Sequence, residues 1–279
     1  WDKRALWLAP RARPLLSMAR SMADQGMTCC HAILGSSSLA YLWDHRVDSK
    51  ALLPGAGFME LSSTAVSSIT DIYRCSRTVV LKGVAISFPL QLPDPIAKTA
   101  AHVHIQCVIF HKEGRYAIRP MHAPSSYLSG QCSVLGISAA VEYINFCSSK
   151  AMHALVSTID DGSTNDISLY GKVDLNLATD SINGYMAHPA AMDNCLQLSW
   201  GRLVGKKLDG GKARVPAAIG SFLVVGCACR TKGNVGTWAA PLLSPMDPAV
   251  SNFQMQDTQR SSGIAQIAGL EGRAMASRS

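Results

Sequence analysis

A long helix preceded by proline occurs once in each half of this chain, and segments with strand periodicity flank both helices. In the first half the helix follows Pro54, and its apolar side chains repeat at helical spacing. These side chains are Phe58, Leu61, Ala65 and Ile69. Proline suits the first turn of a helix, because the N–H group that it lacks has no partner there. The pattern predicts a helix over about residues 56–70.

The second half repeats this order of elements. Pro189, preceded by His188, opens a helical stretch that extends to about Leu203. Segments with the alternation or apolar content of strands surround both helices. They cover residues 84–88, 103–109, 116–118 and 131–137 in the first half, and 173–177, 215–225, 235–240 and 264–269 in the second. A curved antiparallel sheet around each helix would bury it on most sides. The sequence therefore predicts an α+β chain with a weak internal repeat.

Composition excludes several classes of protein. The 279 residues are 48% hydrophobic and 16% charged, which excludes a wholly disordered chain. The longest apolar stretch, residues 219–229, has eleven residues and is interrupted by glycine and serine. A membrane-spanning helix needs about 18 or more apolar residues in succession. We expect a globular protein with a sizeable core and no association with a membrane.

The formal net charge of +7 predicts an anionic partner, either nucleic acid or an acidic protein. Nucleic acid is not expected, because the basic residues form no run and aromatic residues make up only 6% of the chain. The nine cysteines lack the paired spacing of structural zinc sites. We expect reduced thiols, no metal site and a cytoplasmic location.

Two local patterns hold residues that are suited to acid–base chemistry. His45 lies nine residues before Pro54, and a histidine can act as a neutral base near pH 7. Asp193 and Gln197 are four residues apart on the second helix and therefore share a face. A carboxyl group on a mostly buried helix has a raised pKa and keeps its proton at neutral pH.

One base and one protonated acid are what a β-elimination next to a thioester carbonyl requires. A structural interpretation fits the same residues. A histidine before a helix is often a cap or a satisfied core residue, and an aspartate near a helix start suits the positive end of the helix dipole. The residue types and spacings alone leave both interpretations open.

The first pattern resembles the His-x3-Gly-x4-Pro motif of the dehydratase domains of polyketide synthases and animal-type fatty-acid synthases. It consists of His45, Ser49 and Pro54, so serine stands where the family has glycine. If that position needs a positive φ angle, serine strains the turn and tilts His45. The family's Tyr-Gly-Pro-x-Phe phrase, which helps to wall the substrate tunnel, is reduced here to Tyr170-Gly171.

The second pattern resembles the second motif of the same family, His-Pro-x3-Asp-x3-Gln, and is intact. Its residues are His188, Pro189, Asp193 and Gln197. Further similar phrases lie at residues 31–35, 81–93, 214–220 and 263–273. The resemblance covers about residues 31–275.

This resemblance implies a double hotdog, in which two antiparallel sheets each wrap a central helix. The expected divisions are a linker from a preceding synthase domain at residues 1–30, an N-terminal hotdog at 31–140, an inter-hotdog linker at 141–168 and a C-terminal hotdog at 169–275. One active site is then shared between the two hotdogs.

The resemblance also implies the chemistry. His45 would remove the α-proton of a β-hydroxyacyl thioester, and Asp193 would protonate the departing hydroxyl to leave a trans-enoyl thioester. Gln197 would orient Asp193. The residues expected to bind substrate are Pro54, Gly55, Gly57, Tyr185, His188 and Pro189. A backbone N–H group around residues 55–57 is expected to polarise the thioester carbonyl.

No cofactor is implied, because the substrate arrives on the phosphopantetheine arm of an acyl carrier protein. That carrier and the neighbouring synthase domains are the expected partners, and the parent synthase allows a homodimer. Acyl carrier proteins are acidic, which agrees with the positive charge. The alternatives are a catalytically weak structural module of the synthase and, less favoured, a hotdog acyl-thioesterase.

Overall fold

The computed structural model describes residues 5–8, 13–70, 77–93, 103–121, 123–136, 169–174, 184–204, 214–225, 234–241, 251–257 and 262–274. Its α-helices are α1 (Gly55–Thr70) and α2 (Pro189–Val204). The first-half strands are β1 (Ala5–Leu8), β2 (Met18–Met22), β3 (Met27–Leu34), β4 (Arg46–Val47), β5 (Lys50–Ala51), β6 (Arg77–Ile86), β7 (Val103–Phe110), β8 (Arg115–Pro120) and β9 (Leu128–Gly136). The second-half strands are β10 (Leu169–Asp174), β11 (Arg214–Val225), β12 (Asn234–Pro241), β13 (Ser251–Asp257) and β14 (Ser262–Ala274).

One antiparallel sheet runs through both halves. Its strand order is β1-β2-β3-β7-β8-β9-β6-β11-β14-β13-β12-β10, and β4 pairs separately with β5. The halves join where β6 lies beside β11, with Val84 opposite Ile219 and Thr78 opposite Val225. Each half of the sheet therefore carries its own helix, and the two helices contact each other.

Helix α1 forms the centre of the first half. Every residue from Gly55 to Val66 is buried. Its large apolar side chains Phe58, Met59 and Leu61 are each at most 1% exposed. Such a helix is buried on all sides rather than amphipathic, and it needs a sheet that curves around it. The predicted α+β class and both predicted helices are confirmed, the helix ends agreeing to within one residue.

The predicted linker at residues 1–30 is wrong over most of its described part. Strand β2 pairs with β3 along its whole length, and Leu15, Leu16 and Ala19 are buried in the core. The sheet therefore begins well before residue 31. The arginines and serines around this short strand conceal its periodicity in the sequence. The predicted inter-hotdog linker at residues 141–168 lies outside the described residues.

The turn between β4 and β5 contains the serine that replaces the motif glycine. Asp48 has a φ angle of 49° and Ser49 one of 65°, so both lie in the left-handed region. Two such residues between paired strands form the type I′ turn of hairpins, for which Asp-Gly is a preferred sequence. Ser49 is therefore strained, as the sequence analysis anticipated for this position.

Replacing Ser49 by glycine should stabilise the protein. The left-handed conformation costs a non-glycine residue roughly 1–2 kcal/mol, and glycine would remove this cost. The greater conformational freedom of glycine in the unfolded chain offsets part of that stabilisation. We expect Ser49→Gly to raise the free energy of unfolding by about 0.5–1 kcal/mol in urea titrations. The control is Ser36→Gly, because exposed Ser36 has an ordinary φ of −68°. A loss of stability in Ser49→Gly equal to that of the control would contradict this account.

Candidate active site

The two residues predicted to carry the chemistry come from opposite halves of the chain. They lie close together at the seam, by which we mean the boundary between the half that contains α1 and the half that contains α2. His45 follows the 3-10 segment Ser37–Asp44, just ahead of the β4–β5 hairpin, and Asp193 lies near the start of α2. His45 Nε2 is 3.7 Å from Asp193 Oδ1. Gln197 Nε2 donates a hydrogen bond of 2.7 Å to Asp193 Oδ2. The three predicted catalytic residues are thus in one place.

The orientation of the His45 ring is fixed by Leu52. The His45 Nδ1 atom lies 3.1 Å from the Leu52 carbonyl oxygen, and the Leu52 N–H donates to the His45 carbonyl over 3.0 Å. A carbonyl oxygen only accepts hydrogen bonds, so Nδ1 carries the proton in the neutral ring. Nε2 then has a free electron pair directed towards Asp193, as a general base requires. Strain at Ser49 does not remove His45 from this position.

The surroundings of Asp193 suit the predicted role of a general acid. Burial is the main cause that raises the pKa of its carboxyl group, against the opposing effects of the His45 charge and the Gln197 hydrogen bond. Its side chain is 15% exposed, so it is reached from the cavity although it is largely removed from solvent. With a raised pKa the carboxyl group keeps its proton up to a higher pH, and this proton is then available for donation.

A cavity of about 270 Å³ opens onto this pair. Its lining residues are Tyr41, Leu42, Asp44, His45, Pro54, Ala190, Asp193, Asn194 and Gln197. Pro54 is the one predicted substrate-binding residue among them. The lining residues that the motifs did not indicate are Tyr41, Leu42, Asp44, Ala190 and Asn194. Most of these are sequence neighbours of His45 or Asp193, so proximity to the motif residues was the available signal.

Tyr185 and His188 form a second layer behind the cavity wall. The Tyr41 hydroxyl donates a hydrogen bond of 2.9 Å to the Tyr185 hydroxyl. The His188 ring lies with its centroid 5.1 Å from that of Tyr41 and 4.7 Å from that of Tyr185. Both residues, and Pro189 beside them, are buried. They support Tyr41 and do not line the cavity.

His188 also caps α2. Its Nδ1 atom accepts the Ala190 N–H over 3.2 Å, and its carbonyl accepts the N–H groups of Ala191 and Met192. Nδ1 is therefore unprotonated, and Nε2, which carries the proton, has no hydrogen-bond partner among the described residues. Burial lowers the pKa of His188 to about 4, so the ring is neutral at pH 7.

Gly55 and Gly57 serve packing at the start of α1. A Cβ atom at Gly55 would lie 2.9 Å from Cγ of Pro216 on β11, and one at Gly57 would lie 2.9 Å from Cδ1 of Leu53. The Gly57 N–H donates to the Pro54 carbonyl over 2.9 Å. This N–H group is therefore used within the first turn of the helix. The N–H groups of residues 55 and 56 remain as candidates for polarising the thioester carbonyl.

Two further observations concern classes of function. The described residues include no group of three or more histidine, cysteine, aspartate or glutamate side chains placed to hold a metal ion. Within the same residues, no helix has the length and apolar character needed to cross a membrane. Cys29, Cys30, Cys107 and Cys132 are free thiols.

Comparison with known proteins agrees with the motifs. Residues 13–119 match the family model of the polyketide synthase dehydratase domain. The predicted resemblance to polyketide synthase dehydratase domains is confirmed. A curated relative, the polyketide synthase GfsB of Streptomyces halstedii, is 36% identical over 93 residues. That match covers 33% of the chain and only 2% of the much longer relative.

Solved polyketide synthase dehydratase domains share the fold over nearly the whole chain. The domain from the CurJ module of curacin polyketide synthase gives a TM-score of 0.70 at 16% identity, covering 94% of this chain and 96% of that one. The domain from the CurF module gives 0.68 at 16% identity, with 95% and 100% covered. The predicted double hotdog is therefore confirmed.

The low pKa of His188 predicts a specific loss of stability in acid. The ordinary histidine pKa is 6.5 and the folded value is about 4, so the unfolded chain binds the proton first as the pH falls. Stability from the neutral ring is present above pH 6.5 and declines on the way to pH 4, by on the order of 3 kcal/mol.

His188→Asn keeps a good capping residue and removes the titration. In urea titrations it should be less stable than wild type at pH 7.5, because the ring contacts are lost, and this deficit should shrink as the pH falls to 4. Parallel stability curves for the two proteins over this range would contradict the assignment.

Proposed function

We propose that this chain dehydrates a β-hydroxyacyl thioester to the trans-enoyl thioester, as a hydro-lyase module of a polyketide or fatty-acid synthase. The observation that carries the proposal is the pairing of the His45 and Asp193 side chains across the seam, 3.7 Å apart and facing one cavity. The pair supplies a base with an available electron pair and an acid whose pKa is raised by burial.

The reaction uses each group once. His45 Nε2 takes the α-proton, the electrons of that C–H bond form the double bond between Cα and Cβ, and the C–O bond at Cβ breaks. The departing hydroxyl takes the proton of Asp193 and leaves as water. Gln197 holds the Asp193 carboxyl through its hydrogen bond to Oδ2, which leaves Oδ1 on the side of His45.

After water leaves, the protonated His45 and the ionised Asp193 form an ion pair within one site. Opposite charges at this separation stabilise each other in a partly buried site. A water molecule between the two side chains is then enough to return the proton from His45 to Asp193, because 3.7 Å is too long for a direct hydrogen bond. The site is thereby reset without an added cofactor.

Known dehydratases support the roles of these residue types. The CurK dehydratase, whose domain superposes on this chain with a TM-score of 0.67, is inactive when an aspartate is replaced by asparagine or a histidine by phenylalanine. Its identity with this chain is only 20%, so the argument for His45 and Asp193 rests on their own geometry.

The substrate is expected to arrive on the phosphopantetheine arm of an acyl carrier protein, with neighbouring synthase domains as the other partners. Acyl carrier proteins are acidic, and a net charge of +7 favours their approach. The side chains of this site supply base, acid and hydrogen bonds, so the proposed reaction needs no metal or other cofactor.

The test is dehydration of a carrier-bound 3-hydroxyacyl substrate, followed by mass spectrometry as loss of water from the acyl chain. We expect wild type to react and His45→Ala to lose about 10²–10⁴-fold in rate, the usual contribution of a general base. The control is His111→Ala, which should leave the rate unchanged because His111 is exposed and lies in the turn between β7 and β8.

The same spectra separate the alternatives. A thioesterase would release a free acid and leave the carrier thiol, without loss of water from the acyl chain. The strained Ser49 is the observation that favours a catalytically weak structural module. Folded wild-type protein that leaves the carrier-bound substrate unchanged would support that second function and contradict dehydration.

A further inference from the structure

Glu60 is a buried carboxylate that the proposed reaction does not use. It lies on α1, is 1% exposed, and is the only charged residue in that helix of 16 residues. Burial of a carboxylate lowers the stability of the fold unless hydrogen bonds compensate it. The hydrogen-bond partners of Glu60 therefore indicate its role.

Both oxygens of Glu60 bind the backbone of the other half of the protein. Oε1 accepts the Met186 N–H over 2.7 Å, and Oε2 accepts the Ala187 N–H over 2.9 Å. Thr64 donates a third hydrogen bond of 2.7 Å to Oε1 from within the same helix. The carboxylate therefore joins α1 to two consecutive peptide groups, which are directly followed by the capping residue of α2.

The position of these peptide groups sets the start of α2. Met186 and Ala187 are each 2% exposed, and His188 and Pro189 follow at once. Asp193 is six residues beyond Ala187, within the second turn of a helix whose hydrogen bonds make it rigid over this distance. A shift of the peptide groups held by Glu60 therefore moves the Asp193 carboxyl relative to His45, whose position depends on Leu52 in the first half.

We infer that Glu60 is a positioning residue for the acid–base pair. Its two hydrogen bonds to the Met186 and Ala187 peptides fix the first turn of α2 against α1 and so set the distance from Asp193 to His45. This role is distinct from catalysis, because Glu60 does not line the cavity and touches no reacting atom.

The variant that tests this role is Glu60→Gln, which preserves size and shape. Its amide oxygen can accept one of the two N–H groups, while its NH₂ group opposes the other donor. Burial raises the pKa of Glu60 to about 7 and outweighs the hydrogen bonds from Ala187, Met186 and Thr64, which lower it. The neutral side chain is therefore accessible to the folded protein near pH 7, which favours folding of the glutamine variant.

Thr64→Val provides a matched control. It removes the hydrogen bond that Thr64 donates to Oε1 and keeps both bonds to the second half. Thr64 is as buried as Glu60, and valine has nearly the shape of threonine. A general effect of disturbing polar groups in α1 would appear in both variants, whereas loss of positioning would appear only in Glu60→Gln.

The kinetic readout rests on the proposed function. In Glu60→Gln we expect kcat for dehydration to fall about tenfold or more, and by a larger factor than KM rises, because the displaced acid acts in the transition state. Thr64→Val should remain within about twofold of wild type in both constants. Glu60→Asp keeps the charge but is shorter by one methylene, so it should show the same loss of kcat.

A second readout does not depend on activity. Carbon-13 labelling of aspartate allows the titration of the Asp193 carboxyl to be followed by NMR, with Asp193→Asn to assign its signal. The His45 charge lowers the pKa of Asp193, so displacement from His45 should raise that pKa in Glu60→Gln. Removal of the Glu60 charge alone would act in the opposite direction, so a rise reports movement.

The outcomes separate the two proposals. A raised Asp193 pKa in Glu60→Gln but not in Thr64→Val supports the positioning role even if wild type fails to dehydrate the substrate, in which case only the proposed function is contradicted. An unchanged Asp193 titration, or equal kinetic losses in Glu60→Gln and Thr64→Val, would overturn the positioning role. Failure of both Glu60→Gln and Glu60→Asp to fold would also overturn it, because Glu60 would then serve global stability.

Discussion

Contact between the two central helices is the constraint on which the rest of the structure depends. Each helix is wrapped by its own part of one sheet, and the parts are continuous through β6 and β11. Gly55 allows the start of α1 to approach Pro216 on β11 closely. The seam that results is where His45 from one half and Asp193 from the other meet. Neither half alone contains both members of the pair.

Burial near this seam has different chemical results at different residues. Asp193 is largely buried but open to the cavity, and burial raises its pKa towards the range that a general acid needs. His188 is enclosed by tyrosine rings, and burial keeps it neutral as a helix cap. Glu60 is fully enclosed and is compensated by three hydrogen bonds. Surroundings therefore decide whether a titratable group serves chemistry or architecture.

The helices could be located from the sequence because proline stands at the start of each and apolar residues recur after it over about four turns. Strands β1 to β5 and β13 were missed. Strand β2 is short and contains an arginine, Met27–Leu34 has no regular alternation of apolar and polar residues, and Ser251–Asp257 has only two large apolar residues. Phe88 was included in a strand, but it lies beyond the end of β6 and is 54% exposed. The ends of such strands depend on pairing with neighbouring strands, and the periodicity of the sequence does not reveal that pairing.

The candidate site divides in the same way. His45, Asp193 and Gln197 were found because their spacing matches family motifs. Tyr41 belongs to no motif, and its contacts with Tyr185 and His188 of the second half are visible only in the folded protein. Glu60 carried one usable signal, a lone charge in an apolar helix, but its partners are backbone groups 126 and 127 positions away. The sequence alone could not reveal which groups those are.

The most direct test of the central claim is a double-mutant cycle on kcat/KM for carrier-bound substrate. It compares wild type, His45→Ala, Asp193→Ala and the double variant. Groups that act as one acid–base unit are strongly non-additive, because loss of either disables the step that needs both. The account predicts that the double variant is about as impaired as the worse single variant. Losses that simply add in free energy would show that His45 and Asp193 act independently, and would contradict it.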